Sequence, residues 1–281
     1  MRNKLGVLGY PLGHTLSPAM QNAALRALGR DDLEYVILEK DYHELQKAIE
    51  DIKQDYLGIN VTIPYKEKIM PWIQEVSHEA RLAGAINTIL VKDDKLVGTN
   101  TDGVGYLRSL REHDIDLKGK DILILGAGGA SRGVATALAG AGVSRIDICC
   151  RKKNRGRALL DILTSVCKIE ASWIDFKTLN KADISRYALI INTTPVGMYP
   201  NESETIPFPY EKLEKHQILS DLIYRPSMTK FLLEGSKRGL TVVGGLEMLL
   251  YQGAESLAFW LDCDPPIEVM RESLLEALSK E

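Results

Sequence analysis

Residues 121–142 read DILILGAGGASRGVATALAGAG, an apolar run that stops at Gly126 and gives way to an alanine-rich helical pattern. An apolar run this short, closed by glycine, predicts a strand buried on both faces. Gly126, Gly128 and Gly129 fall in the turn between strand and helix. There the missing side chains let a backbone approach a pyrophosphate, and the helix N-terminal amides meet its charge. Ser131 stands where the third glycine or alanine of the usual fingerprint falls, and a tight turn that binds nothing has the same look. The next strand, RIDICC, adds a second signal, because Arg151, Lys152 and Lys153 follow it and Arg155 lies one turn further on. An enzyme for the unphosphorylated dinucleotide usually carries an acid at that strand end, whereas basic residues suit a 2′-phosphate. Arginine offers it a planar fork and lysine a point charge; without the glycine turn upstream, the same run reads as a solvated face.

Outward from this unit, LIINTT, ILSDLIY and LTVVGG follow, while LGVLG, YVILE and YLGINV precede it, all separated by amphipathic stretches. That alternation predicts an α/β fold with parallel sheets. Near the N-terminus, Ser17 suits a helix cap, Pro18 a first turn and Gly29 a stop. The stretch PYKEKIMPWI is expected to open a helix with Lys66 in its first turn. AINTILVKDDKLVGTNTD predicts a hairpin around Asp93 and Asp94 that places Asp102 close to the start of the helix GVGYLRSLREH. The strand, glycine turn, helix order begins afresh after LKGK, so a domain boundary is expected near Tyr106. The final segments, GLEMLLYQGAESLAFWL and PPIEVMRESLLEAL, are purely helical and need not belong to the sheet just before them.

At 281 residues and 45% hydrophobic content the chain has material for two cores, and a net charge of -3 with interspersed signs argues against a nucleic-acid or membrane-surface partner. A small molecule is the expected partner. The apolar run within Met1–Tyr10 is broken by Gly6 and Gly9 and lacks a cleavage pattern, so a cytoplasmic protein is expected. Cys149, Cys150, Cys167 and Cys263 show no redox or zinc spacing; reduced thiols and no metal are expected.

Polar residues cluster at four strand ends: Thr15 and Ser17; Asn60, Thr62 and Lys66; Asn87 and Thr88; Asn100, Thr101 and Asp102. Ligands of open α/β sheets bind outside such ends, and this set suits a small polyhydroxylated anion. Hydride delivery to a ketone leaves an alkoxide, which needs a proton donor of matched pKa within reach. Lys66 can be that donor, with Asp102 holding the ammonium, although each alone is more often a surface or capping residue. By the same standard Gln252 and Met248, one turn apart on a helix, read as packing, Tyr224 as a core aromatic, and His14 as an exposed turn histidine.

The ordered blocks GYPLGHTLSPAMQNAAL, GINVTIPYKE, AGAINT, GTNTDGVG, GAGGASRG, NTTPVGM, DLIYRP and GLEMLLYQGAESLAFW resemble those of the shikimate dehydrogenases over nearly the whole chain. The resemblance implies an N-terminal α/β substrate domain, residues 1–105 completed by 246–281, and a Rossmann-like NADP-binding domain, residues 106–245. It implies NADP-dependent, reversible reduction of 3-dehydroshikimate to shikimate on the route to aromatic amino acids, by a monomer or homodimer. Thr15, Ser17 and Thr62 would hold the substrate carboxylate, Asn87, Asp102 and Gln252 the ring hydroxyls, and Tyr224 would also reach the substrate. Lys66 and Asp102 would be the catalytic pair. Gly126, Gly128, Gly129 and Ala130 would meet the cofactor phosphates, and Arg151, Lys152 and Arg155 the 2′-phosphate. Thr193, Val196, Met198, Gly245 and Met248 would line the nicotinamide side. The chain departs from the family's common serine at Thr15 and its common asparagines at Cys150 and Arg225. A quinate or dual-specificity enzyme, using NAD as well as NADP, is the rival reading; a catalytically silent NADP-binding sensor is the rival from another class.

Overall fold

The computed structural model describes residues 2–13 and 15–280, so His14 lies outside the described residues. The chain divides into two units, residues 1–105 with 249–281, and residues 106–248. In chain order the elements run β1 (Lys4–Gly9), α1 (Ser17–Ala27), β2 (Glu34–Glu39), α2 (Leu45–Asp55), β3 (Tyr56–Val61), β4 (Glu75–Val76), α3 (His78–Ala83), β5 (Thr88–Lys92), β6 (Lys95–Thr99) and α4 (Asp102–Arg111). They continue with β7 (Asp121–Leu125), α5 (Gly129–Gly140), β8 (Arg145–Cys149), α6 (Lys153–Asp161), β9 (Glu170–Ile174), β10 (Leu189–Asn192) and β11 (Ile218–Asp221). The last are α7 (Lys230–Lys237), β12 (Thr241–Val243), α8 (Leu246–Leu261) and α9 (Ile267–Ser279).

The first unit holds a six-stranded sheet in the order β2-β1-β3-β5-β6-β4. Its strands β2, β1 and β3 are parallel, but β5 runs antiparallel to both β3 and β6, so this sheet is mixed rather than parallel. The cause is local. Asp93 and Asp94 both take positive φ, 48° and 59°, which is a two-residue turn that can only join antiparallel strands. One face of the sheet is covered by α2, whose Leu45, Ala48, Ile49 and Ile52 follow the helical repeat and pack with Leu8, Ile59, Val61 and Ile89. Further along the chain, the Trp260 indole donates to the Ile89 carbonyl at 2.8 Å and the Gln21 side chain donates to the Gly253 carbonyl at 2.9 Å. Residues 249–281 are thereby fastened to residues 1–105.

Two local expectations are corrected. Ser17 is the first helical residue of α1 rather than its cap; Leu16 occupies the cap position, and the Ser17 amide donates to the Thr15 hydroxyl at 3.3 Å. The stretch after Pro64 forms turns and a single 3-10 turn at Met70–Trp72 instead of an α-helix. Ile69 donates to the Tyr65 carbonyl at 2.9 Å, but Pro71 has no amide with which to continue the pattern.

The second unit holds a wholly parallel sheet in the order β12-β11-β10-β7-β8-β9. Counted within this unit, the order is the doubly wound 3-2-1-4-5-6 of dinucleotide-binding folds, and its direction reverses between β7 and β10. Both faces are covered, which is why the strands are continuously apolar. Ile122, Ile124, Ile146 and Ile148 pack with Val134 and Leu138 of α5, while Leu123, Leu125 and Ile190 pack with Phe231 and Leu232 of α7. Burial of each such side chain contributes roughly 1.5–3 kcal/mol of transfer free energy. The expected fold class, two α/β units with one Rossmann-like, is what the chain adopts.

Candidate active site

In the first unit the polar residues are positioned by strand ends and helix starts. Asp102 is the first residue of α4, and its amide donates to Asn100 Oδ1 at 3.1 Å, which fixes the turn that delivers it. Lys66 lies in the turn after β3, and its carbonyl accepts from the Ile86 amide at 2.8 Å, so its backbone is held beside the approach to β5. The Lys66 ammonium then donates to both Asp102 oxygens, at 2.9 Å to Oδ1 and 2.6 Å to Oδ2. Their side chains are 13% and 3% exposed, a desolvated pair in which each group depends on the other.

Asn87 Nδ2 donates to Asp102 Oδ1 and to the Thr101 hydroxyl, each at 2.9 Å, and approaches Gln252 Oε1 at 3.4 Å. Its Oδ1 accepts from the Thr101 amide at 2.8 Å. Below it, Asn60 Nδ2 donates to Ser256 Oγ at 2.9 Å, and Ser256 Oγ lies 2.7 Å from the Thr88 hydroxyl. The Thr101 hydroxyl donates to the Gln252 carbonyl at 2.9 Å, an approach that needs Gly105, whose Cβ would sit 2.6 Å from the Gln252 amide nitrogen. Lys66, Asn87, Asp102 and Gln252 are thus joined in one network. Ser256 was not singled out from the sequence. The available signal was its one-turn spacing from Gln252 on α8, which by itself means only a shared helix face.

Thr15, Ser17 and Thr62 are partly buried, and of these three the Ser17 amide and the Thr15 hydroxyl are joined, at 3.3 Å. Gly9 lies against Thr62, and a Cβ there would meet the Thr62 methyl at 2.5 Å. Among the described residues no hydrogen bond joins this group to Lys66.

In the second unit the glycine turn sits at the C-terminal end of β7, next to the switch point. Gly126 has a φ of 123°, and a Cβ on it would collide with the Thr193 hydroxyl, which donates to the Leu125 carbonyl at 2.8 Å. Gly128 caps α5 without any side-chain hydrogen bond, and open space lies where its Cβ would be. The free amides of Gly129 and Ala130 are therefore accessible to an anion, and the turn fits a pyrophosphate. Ser131, in place of a third glycine, is fully buried and donates back to the Gly126 carbonyl at 3.0 Å, so it closes the turn instead of widening it. Arg151, Lys152 and Arg155 are exposed beyond the end of β8, with Lys152 at the cap of α6. Burial pushes the Cys149 and Cys150 thiols up, away from thiolate chemistry.

Thr193 and Val196 are half-buried and Met198 is 39% exposed in the turn after β10. Gly245 is buried against the Leu222 carbonyl, Met248 is 7% exposed within the core of this unit, and Tyr224 is half-buried in the turn after β11. Between these turns lies a residue that the sequence reading passed over. Asp221 is fully buried and accepts from Asn192 Nδ2 at 3.0 Å, the Ile223 amide at 3.0 Å and the Thr229 hydroxyl at 2.7 Å. Burial, partly offset by those hydrogen bonds, pushes its carboxyl up to about 6. Its titratable neighbours Tyr106 and Tyr210 are themselves raised by burial and stay neutral across this range.

A carboxyl that holds its proton more tightly when folded stabilises the fold below about pH 4 and loses that contribution as pH rises through about 6. Asp221→Asn removes the titration. Its stability relative to the parent should therefore rise between about pH 4 and about pH 8, by on the order of 3 kcal/mol. Urea unfolding across that range measures the difference, and a difference that does not change with pH would contradict the assignment.

Among the described residues no helix is long and apolar enough to cross a membrane, and no group of three or more His, Cys, Asp or Glu side chains is placed to hold a metal ion. The family model for the shikimate dehydrogenase substrate binding domain matches residues 7–89, and that for the shikimate 5'-dehydrogenase C-terminal domain matches residues 245–275. The shikimate dehydrogenase (NADP(+)) of Carboxydothermus hydrogenoformans is 41% identical over 271 residues, covering 96% of this chain and 95% of its own. A shikimate dehydrogenase solved in complex with NADP+ shares the fold with a TM-score of 0.90 at 35% identity, over 98% of this chain and 96% of that one. The shikimate 5-dehydrogenase of Thermus thermophilus, solved with NADP(H) and shikimate, gives a TM-score of 0.85 at 35% identity, over 98% and 100%. Sequence identity at this level along nearly all of both chains, on one shared fold, makes this chain a member of the shikimate dehydrogenase family.

Proposed function

We propose that the chain is an NADP-dependent shikimate dehydrogenase that reversibly reduces the ring ketone of 3-dehydroshikimate, acting in the cytoplasm as a monomer or homodimer on small molecules alone. The observation that carries this reading is the desolvated Lys66–Asp102 pair, at 2.6 and 2.9 Å, in a chain of this family. A sensor that only bound NADP would have no use for an ammonium poised on a buried carboxylate.

Bound NADPH supplies the hydride. Lys66 gives the proton to the oxygen that was the ketone's, so that a carbonyl plus hydride plus proton becomes a secondary alcohol. Asp102 keeps the ammonium in place and accepts from a neighbouring ring hydroxyl. Asn87, tied to Asp102 at 2.9 Å, and Gln252 present amides to the remaining hydroxyls. Thr15, Ser17 and Thr62 take the carboxylate, for which the hydroxyls of Thr15 and Ser17 at the start of α1 suit a negative charge. Tyr224 completes the substrate contacts. Gly126, Gly128, Gly129 and Ala130 hold the pyrophosphate, Arg151, Lys152 and Arg155 the 2′-phosphate, and Thr193, Val196, Met198, Gly245 and Met248 the nicotinamide side.

A substrate and cofactor matrix tests the reading, by following nicotinamide absorbance with 3-dehydroshikimate, shikimate and quinate against both cofactors. The pair 3-dehydroshikimate and NADPH should have the highest reductive kcat/KM. A higher specificity constant for quinate with NAD+ than for shikimate with NADP+ would make it a quinate enzyme instead.

A further inference from the structure

Three turns of the second unit are assigned above to the nicotinamide end of the cofactor or to the substrate, and all three are keyed to one buried carboxyl. Asn192, 0% exposed at the end of β10, shapes the first turn, since its Oδ1 accepts from the Thr194 amide at 2.9 Å and the Thr194 hydroxyl at 2.7 Å. Its amide nitrogen is the group that donates to Asp221 Oδ1. Asp221 ends β11, and through the Ile223 amide it bends the second turn, from which the Ile223 carbonyl accepts the Gly245 amide of the third at 3.1 Å. The other carboxyl oxygen takes the Thr229 hydroxyl, and the same Thr229 oxygen caps α7 by accepting from the Leu232 amide at 3.3 Å.

We propose that Asp221 is a positioning residue for hydride transfer: its carboxyl, bonded to Asn192, Ile223 and Thr229, sets the turn carrying Thr193, Val196 and Met198 against the turn carrying Tyr224. The proposal rests on the reading of those turns given under the proposed function. A simple strand-end tether would need one hydrogen bond. Here three donors from three different elements converge on a side chain that is 0% exposed and that offers no donor of its own when ionised. Alanine at this position leaves all three donors without their acceptor. Asparagine keeps an acceptor for Asn192 and Ile223, and the Thr229 hydroxyl can rotate to accept from the new amide.

The test separates the two ends of the cofactor. 2′,5′-ADP carries the adenosine and the 2′-phosphate but cannot reach the nicotinamide-side turns. Asp221→Ala should leave the affinity for 2′,5′-ADP unchanged, weaken NADPH by about tenfold through the lost hydrogen bonds, and lower kcat by on the order of 10- to 100-fold through misplacement of the reacting groups. Asp221→Asn should recover most of both losses. If Asp221→Ala does not fold, Thr229→Val, which removes one of the three donors, should show the same split at smaller size. Parallel weakening of 2′,5′-ADP and NADPH, or unchanged kcat and NADPH affinity, would overturn the proposal. A parent protein that binds NADPH but turns over no shikimate would instead refute the proposed function, and that result is read before any variant is compared.

Discussion

Replacing Lys66 with alanine is expected to lower turnover by on the order of 100- to 10,000-fold, the range for a positioned acid or base. Substrate binding should suffer far less, because the proton is needed chiefly as alkoxide charge develops in the transition state. The geometry adds a second consequence. Asp102 is 3% exposed in its side chain and, without Lys66, keeps only the Asn87 amide at 2.9 Å as a side-chain donor among the described residues. Asp102→Asn preserves size and some hydrogen bonding but removes the charge paired with Lys66, and should damage turnover too. The double variant should fall short of the product of the single losses, since the two residues act as one unit. Steady-state and single-turnover kinetics, with NADPH binding as the control for folding, measure this. Near-parental turnover in Lys66→Ala, with fold and NADPH binding intact, would overturn the mechanism.

Arg151→Ala is expected to weaken NADPH much more than NADH, because the contact proposed for Arg151 is to a phosphate that NADH lacks. The lost discrimination should be on the order of 1.5 to 3 kcal/mol for one charged hydrogen bond. The structure favours the smaller figure. Arg151, Lys152 and Arg155 are all exposed around the start of α6, so a neighbouring cation can approach the same phosphate from that cap. Titration of the parent and the variant with both cofactors decides the matter; equal losses for NADPH and NADH would show that Arg151 does not read the 2′-phosphate.

The parallel sheet was legible because burial on both faces leaves no room for alternation. DILIL, RIDIC and LIIN announce themselves as apolar runs with glycine or polar punctuation, and their order alone implies a crossover architecture. The edge strand β9 was not among the expected strands, because EASWI begins with an exposed glutamate and is only half-buried throughout. The two-residue β4 is too short to leave a pattern. The stretch around Lys66 carries Pro64 where a helix's first turn would take it, which is why a helix is expected there, yet Pro71 lacks the amide to carry one on.

The chemistry followed the same division. Lys66 and Asp102 carry functional groups that a ketone reductase needs, so type and placement at strand ends brought them forward together. Ser256, Asn192 and Asp221 did not stand out. A serine in an apolar helix or an aspartate closing a strand looks like a solvated residue until tertiary burial is known, and 0% exposure is what turns Asp221 from a strand-end acid into a junction.

The discontinuity of the first unit has a consequence for biosynthesis. Residues 106–248 lie between the two parts of that unit, so a ribosome has made the whole of the second unit before it begins residues 249–281. At usual elongation rates this leaves residues 1–105 without their closing helices for on the order of ten seconds. During that interval Asn60 lacks Ser256, the Ile89 carbonyl lacks Trp260, and the floor beneath Asn87 and Asp102 is missing. The nascent N-terminal sheet therefore waits for its closing helices, and the network around Lys66 and Asp102 is completed by Gln252 and Ser256 last although Lys66 and Asp102 are translated early.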